Sequence, residues 1–227
     1  MRGFVTALLS TLLIALAPAT QAAQTWVEGK HYVRLPQPQH TSVAPGKVEV
    51  LEVFSYGCPA CNHFQPWAER LRHDLPPNAQ MNLLPANWQK GEDWPMFQQA
   101  FFTAQVLGVA DKTHQAMFDA IWKTGELSVV DGNNRLKNPL PSIEDAAQFY
   151  KKTAGVSPDK FLEVSKSFVV NMKINAANSQ IQAMEIQGTP SIVVNGKYLV
   201  QMDSLGGSYD DLLAVVRYLV SLESAAH

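Results

Sequence analysis

Hydrophobic residues are spaced as in strands near both ends of the chain and as in helices between them. Residues 47–54 form an apolar run with a glycine on either side, which predicts a buried strand, and residues 81–85 predict a second one. Between them, residues 59–74 carry apolar side chains at helical spacing. Pro59 suits the first turn of that helix, where a missing N–H costs nothing. This order of strand, helix and strand is typical of an α/β domain.

The long middle part of the chain, residues 94–187, has helical spacing almost throughout. Ser142, with Asp145 three residues later, predicts a capped helix start. Ser157 followed by Pro158 predicts another, because serine caps a helix well and proline fits its first position. The five helices predicted here are 94–107, 112–123, one from 142, one from 157, and 172–186.

Strand character returns at residues 191–194, after which Asn195-Gly196 predicts a two-residue hairpin turn into residues 197–202. A last amphipathic helix is predicted at 208–222. The predicted fold class is therefore α/β, with an all-helical domain inserted in the middle. We expect four segments: 1–22 as a signal peptide, 23–93 and 188–227 as the two parts of the α/β domain, and 94–187 as the insertion.

The chain opens with Met1-Arg2, an uncharged apolar stretch and a few small residues before Ala23. This order predicts a secretory signal peptide that is cleaved before Ala23. The alternative is an N-terminal membrane anchor, which is disfavoured because the apolar stretch is short for a bilayer. No later stretch reaches about eighteen apolar residues, so we expect an exported, soluble protein.

The charge of the chain argues against nucleic acid as a partner. It has 18 Lys and Arg residues and 20 Asp and Glu residues, a formal net charge of −2, and no run of basic residues. Nucleic-acid-binding domains usually carry a basic patch or stripe. No nucleic-acid partner is therefore expected.

The chain has only two cysteines, Cys58 and Cys61, in the spacing C-x-x-C. Such a pair can be a redox dithiol, half of a zinc site or a structural cross-link. Zinc usually takes four ligands, and the sequence has no second cysteine pair and no histidine pair at the usual spacing. A cross-link stabilises mainly by closing a long loop, and this loop is nearly the shortest possible. The redox interpretation is therefore favoured, with no metal.

The positions of the two cysteines predict different roles. Cys58 lies where the first strand has ended and the helix begins. Free backbone N–H groups and the helix dipole should lower its pKa there and make it the nucleophile. Cys61 lies one turn further along, closer to the protein body, and is expected to be the resolving thiol that attacks a mixed disulfide at Cys58.

Glu52 lies on the first predicted strand, where alternation places it on one face with Val50 and Phe54. In this apolar company, desolvation should raise its pKa, which suits a group that relays a proton to Cys61. The alternative is a solvent-facing residue on an edge strand.

Gly188, Thr189 and Pro190 follow a predicted helix and precede a strand. One interpretation is a proline at the first residue of a strand, which is common. The other is a cis proline whose preceding backbone pairs with an incoming peptide, which would make these three residues a substrate-binding loop.

Together these features resemble the thioredoxin superfamily, and specifically the periplasmic thiol–disulfide oxidoreductases of the DsbA type. The matching elements are the Ala23-Gln24 start, Glu52 six residues before the first cysteine, Cys58-Pro59-Ala60-Cys61, the helical insertion, and Gly188-Thr189-Pro190 leading into Val193-Val194-Asn195-Gly196-Lys197-Tyr198. The resemblance implies a thioredoxin fold interrupted by a helical domain, with Pro190 cis beside the disulfide.

The resemblance also implies an activity, that of a periplasmic protein disulfide oxidoreductase acting as a dithiol oxidase. The Cys58–Cys61 disulfide would be the redox group, with no separate cofactor. It would be donated to reduced, incompletely folded exported proteins, and a quinone-linked membrane partner of the DsbB type would reoxidise the pair. A monomer is expected.

One position departs from the best-known members of this family, which carry histidine where this chain has Ala60. Because that ring favours the Cys58 thiolate, the disulfide here should be less oxidising than in histidine-bearing relatives. Thr189 resembles the isomerase branch instead. Two alternatives therefore stay open: an isomerase or reductase kept reduced in the periplasm, although such isomerases usually carry a separate dimerisation domain, and a holdase that grips unfolded chains near Pro190.

Overall fold

The computed structural model describes residues 26–225, so the predicted signal peptide and the start at Ala23 lie outside the described residues. In chain order the elements are β1 (Val33–Arg34), β2 (Val48–Phe54), α1 (Pro59–Asp74), β3 (Ala79–Pro85), α2 (Trp94–Val106), α3 (Ala110–Trp122), α4 (Ile143–Ala154), α5 (Pro158–Ser165), α6 (Phe168–Ala183), β4 (Ser191–Val194), β5 (Tyr198–Gln201) and α7 (Tyr209–Ser224). Short 3-10 turns precede α2 and α7. Within the described range, no helix is both long and apolar enough to span a bilayer.

The five strands form one mixed sheet in the order β1-β5-β4-β2-β3. β2 and β3 run parallel, and the other neighbouring strands are antiparallel. All seven residues of β2 are buried, five of them apolar and two of them glutamates, because helices cover the strand on both faces. This strand leads directly to the cysteine pair.

Two hydrophobic cores cover the two faces of the sheet. On one face, Val48 and Val50 pack with residues of α1 and α7. On the other, Leu51 and Val53 pack with the five helices between β3 and β4. The predicted fold class, an α/β fold with a helical insertion, is confirmed. Phe54 departs from the predicted alternation, because at the strand end its ring contacts the insertion through Phe101.

The predicted bounds of the last insertion helix were wrong at both ends. This helix, expected at 172–186, is α6 and begins four residues earlier, because the Ser167 hydroxyl caps it by accepting the Val170 N–H at 3.3 Å. It also ends earlier, since Glu185 takes a left-handed conformation with φ 54°. The N-terminal arm, residues 26–45, contributes the two-residue strand β1 to the sheet edge.

The predicted hairpin turn is present and also holds the N-terminal arm. Asn195 and Gly196 both have positive φ, 51° and 62°, as a two-residue hairpin turn requires. The Gly196 carbonyl accepts the Gln39 N–H at 2.8 Å, so the arm lies across the turn. A Cβ on Gly196 would lie 2.2 Å from the Gln39 oxygen, so a side chain does not fit there.

We expect Gly196→Ala to destabilise the fold by roughly 2 kcal/mol or more, because the methyl group clashes with backbone and the residue needs positive φ. Gly91→Ala is the matched control, since a Cβ there meets nothing within 4 Å, and it should stay within about 0.5 kcal/mol of the parent. Denaturant unfolding of both variants measures the difference. Equal stability of the two would contradict the clash.

Candidate active site

Cys58 is the cap residue at the start of α1, at the point where the chain leaves β2. Its backbone is extended (φ −87°, ψ 117°), and its sulfur accepts the N–H of Cys61 at 3.4 Å. Pro59 occupies the first helical position, as predicted, so it removes no bond that the helix needs. The sulfur of Cys58 therefore lies at the positive end of the helix dipole.

The two thiols differ in acidity. A hydrogen bond with the Cys61 thiol, helped by bonds from Thr189 and from first-turn N–H groups, lowers the pKa of Cys58 to about 6 despite partial burial. Burial raises the pKa of Cys61, which is fully enclosed, and the neighbouring Cys58 sulfur adds to this effect. Both are free thiols here. Among residues 26–225, no group of three or more His, Cys, Asp or Glu side chains is placed to hold a metal ion.

The loop of Gly188, Thr189 and Pro190 lies beside the pair, although it is far away in the sequence. The Thr189–Pro190 peptide bond is cis, as one of the two interpretations of this proline predicts. The Cys58 thiol donates to the Thr189 carbonyl oxygen at 3.4 Å. The loop thus offers a backbone acceptor directly at the reactive sulfur.

Glu52 lies inside the sheet, not on an edge strand. It is 1% exposed, and neither carboxylate oxygen has a hydrogen-bond partner in the protein. Its partners in the ladder are Leu83 on β3 and Ile192 on β4, so apolar side chains flank it on both sides. Burial raises the pKa of Glu52 to about 8, and the charge of Cys58 adds to the rise while Arg72 opposes it.

Contacts from the insertion to the turn before Cys58 were not predicted from the sequence. The indole N–H of Trp122 donates to the Tyr56 carbonyl at 2.9 Å, and the Tyr56 hydroxyl bonds His114 Nδ1 at 2.9 Å. Trp94 packs on Gly57 so closely that a Cβ there would lie 2.8 Å from its ring. No local pattern in the sequence indicates that Trp94 and Trp122 contact the turn before Cys58.

The family model of the DSBA-like thioredoxin domain matches residues 69–212 of this chain. The chain belongs to this family. The matched span begins after Cys61, so it rests on the insertion and the rest of the thioredoxin domain rather than on the C-x-x-C motif.

The DsbA-like chain is similar to curated proteins named thiol:disulfide interchange protein DsbA. It is 37% identical over 199 residues to that of Azotobacter vinelandii, covering 87% of this chain and 85% of the relative. It is 34% identical over 226 residues to that of Pseudomonas aeruginosa, covering 96% and 97%. These alignments extend over nearly the whole length of both proteins.

Solved structures agree with the family assignment. The crystal structure of Pseudomonas aeruginosa DsbA is 34% identical, with a TM-score of 0.74 over 88% of this chain and 96% of that one. The oxidoreductase DsbA from Xylella fastidiosa is 34% identical, with a TM-score of 0.76 over 88% and 98%. The observed sheet and insertion are therefore those of the DsbA-like family.

The buried carboxyl of Glu52 should make the stability of this DsbA-like chain fall with rising pH. Its pKa is 4.5 without perturbation and about 8 in the fold, so the unfolded chain loses this proton first as pH rises. The stability contributed by the retained proton is complete below about pH 4.5 and is lost up to about pH 8. Glu52→Gln should remove this loss. Between pH 4 and pH 7 its unfolding free energy should therefore rise by about 3 kcal/mol relative to that of the parent.

Glu49→Gln is the matched control for that measurement, because Glu49 is buried on the same strand but its carboxylate is satisfied. It accepts bonds from Asn82 Nδ2 at 2.7 Å and from the Ser42 N–H at 2.9 Å. We expect no stabilisation from this variant, because it weakens two charge-assisted bonds. Denaturant unfolding between pH 4 and 8 is the test, and parallel curves for parent and Glu52→Gln would contradict a raised pKa.

Proposed function

We propose that this protein is an exported dithiol oxidase that donates the Cys58–Cys61 disulfide to reduced proteins folding outside the cytosol. The observation that carries this proposal is the difference in acidity between the two thiols. A Cys58 thiolate stabilised by the start of α1 is a good leaving group. Because it stabilises the reduced form, it also makes the disulfide a stronger oxidant.

The reaction begins with attack of a substrate thiolate on the sulfur of Cys58. A bond forms between the substrate sulfur and Cys58, the Cys58–Cys61 bond breaks, and its electron pair stays on Cys61. A second substrate thiolate then attacks the substrate sulfur of this mixed disulfide and releases Cys58 as a thiolate. The substrate has gained a disulfide, and the two electrons have passed to the cysteine pair, so no separate cofactor is needed. If the second thiolate does not attack, Cys61 resolves the mixed disulfide and releases the substrate unchanged.

Glu52 serves this cycle as the proton relay to Cys61. The Cys61 sulfur is buried, so as a leaving group it would carry an uncompensated charge unless it received a proton. A carboxyl with a pKa of about 8 holds a proton at neutral pH and can give it up. Its lack of any fixed hydrogen-bond partner leaves that proton available for transfer.

Gly188, Thr189 and Pro190 form the substrate-binding loop. While Cys58 is a protonated thiol, it can donate to the Thr189 carbonyl oxygen. Once Cys58 is in a disulfide it has no proton to donate, so this carbonyl is free to accept an N–H from an extended substrate backbone. Such backbone pairing is independent of sequence, which suits an enzyme acting on many unfolded chains.

Location and partners follow from the same proposal. The predicted signal peptide and the DsbA relatives support a periplasmic protein, where a disulfide persists. Continued turnover requires an oxidant for the reduced pair, and we infer a quinone-linked membrane protein of the DsbB type. A monomer suffices for the cycle described, because one chain supplies both cysteines, Glu52 and the substrate-binding loop.

The redox equilibrium of the purified protein with glutathione tests the direction of the reaction. An oxidase should have a potential well above thioredoxin's value of about −270 mV, and its reduced form should be the more stable to denaturant. A potential near that of thioredoxin would contradict the donor role and favour a reductase or isomerase.

Two cysteine variants test the assigned roles. With a reduced, unfolded substrate, Cys58→Ser should abolish oxidation completely. Mixed with oxidised glutathione, Cys61→Ser should accumulate a mixed disulfide between Cys58 and glutathione and release one reduced glutathione, because no second cysteine is present to resolve it; mass spectrometry detects the product. A holdase would keep its peptide binding in Cys58→Ser and show no oxidation in the parent either. Mixed disulfides on Cys61 in Cys58→Ser would reverse the assignment.

Ala60→His should make the disulfide more oxidising. Ala60 is exposed in the first turn of α1, and its N–H already stabilises the Cys58 thiolate. An imidazole at this position would add a donor and partial positive charge near the sulfur. The glutathione equilibrium of Ala60→His against the matched Ala60→Gln measures the effect, and an unchanged or lower potential would contradict this explanation.

A further inference from the structure

Tyr56, two residues before Cys58, packs its side chain into the core of the helical insertion. It lies in the turn between β2 and α1, yet its side chain is 1% exposed. Its ring packs edge-on against Phe118 at a centroid distance of 5.0 Å, and it also contacts Phe101 of α2. The turn that carries the reactive cysteine is thus anchored in the insertion's core.

One face of α3 supplies most of this anchor. His114, Phe118 and Trp122 are spaced four residues apart, so they lie along a single face of the helix. His114 and Phe118 contact the ring of Tyr56, and Trp122 bonds its carbonyl. No other residue of the turn offers both a side chain and a backbone group to the same helix in this way.

The bond between Tyr56 and His114 joins two neutral side chains. Burial raises the pKa of Tyr56, so its hydroxyl keeps the proton. Burial lowers the pKa of His114 to about 3, so the imidazole is neutral. The Tyr56 hydroxyl and Nδ1 of His114 are 2.9 Å apart, and a neutral imidazole can share one proton with the hydroxyl at this distance.

The peptide unit between Tyr56 and Gly57 is held at both ends. Its carbonyl accepts the Trp122 N–H at 2.9 Å, and its N–H donates to the Ser55 hydroxyl at 3.2 Å. Without these bonds this peptide could rotate easily, because glycine tolerates nearly all backbone conformations. The next residue is Cys58.

We propose that α3 of the insertion is a positioning element for thiol–disulfide exchange, because it holds Tyr56 and thereby fixes the turn from which Cys58 reacts. The hydrogen bonds of the Cys58 sulfur go to Cys61 and Thr189 and not to these three α3 residues, so they act through the backbone. The biological meaning of this inference rests on the proposed function. Its physical content does not, because it concerns the acidity and redox equilibrium of Cys58 itself.

A fixed turn matters because the stabilisation of a thiolate by backbone N–H groups depends on geometry. The Cys58 sulfur accepts the Cys61 N–H at 3.4 Å. If the turn loosens, the sulfur spends more time away from these donors, and the thiolate loses stabilisation. Loss of the α3 contacts should therefore make Cys58 a weaker acid and its disulfide a weaker oxidant.

Trp122→Phe tests this proposal, because it removes the indole N–H and keeps an aromatic ring. We expect the acid dissociation constant of Cys58 to fall about three-fold, which is about 0.6 kcal/mol, because only part of what a hydrogen bond contributes reaches the thiolate through the backbone. The equilibrium constant with glutathione should move about three-fold toward the disulfide form. Thiolate absorbance against pH and the glutathione equilibrium measure the two. Tyr56→Phe, which removes only the hydroxyl, should shift both in the same direction.

Phe149→Leu is the control, because Phe149 is a buried core residue of α4 in the same insertion. It should lower the unfolding free energy without changing either redox quantity. If Trp122→Phe and Tyr56→Phe lose stability but titrate and equilibrate like the parent, the contacts are merely structural and the proposal is wrong. These readouts do not depend on turnover, so a parent that fails to oxidise substrates would contradict the proposed function alone.

Discussion

The meeting of the Cys58 sulfur with the first turn of α1 is the interaction on which the rest of the site depends. A helix start offers N–H groups without partners, and these groups stabilise a thiolate that caps them. Cys61 is one turn further along α1 and is buried. The same helix therefore places the Cys61 sulfur where a thiolate is disfavoured. A symmetric pair could exchange disulfides, but it would have no preferred leaving sulfur and therefore no strong direction.

That asymmetry needs a covered sheet beneath it. Glu52 can hold a proton at neutral pH because β2 is enclosed on both faces and its ladder neighbours are apolar. α1 and α7 cover one face of the strand, and the insertion covers the other. A thioredoxin-like sheet with only one face covered would leave part of β2 in water. The insertion thus keeps water from one face of β2, while α1 and α7 cover the face that Glu52 shares with Val50.

Local patterns in the sequence were sufficient for the parts of the fold that depend on neighbours along the chain. The start of α1 at Pro59, the Asn195-Gly196 turn and the capping box at Ser142 are all short-range features, and each is present. The contacts of Tyr56 span 58 residues to His114 and 66 to Trp122, and no local period reveals them. The four-residue spacing on α3 was visible, but nothing in the sequence indicated what that face touches.

The turn at Tyr56 and Cys58 is also where the chain passes from one core to the other. Both cysteines pack with the core of the insertion, whereas Phe64 and Leu71, later on α1, pack with α7. Only contacts that differ in strength between the dithiol and disulfide forms can set a reduction potential, because equal contacts cancel in the comparison. The first turn of α1 meets the charge directly and must belong to that class. Contacts from the insertion affect the reduction potential only as far as they hold that turn in place. Their effect on the potential is therefore smaller than their effect on the stability of the fold.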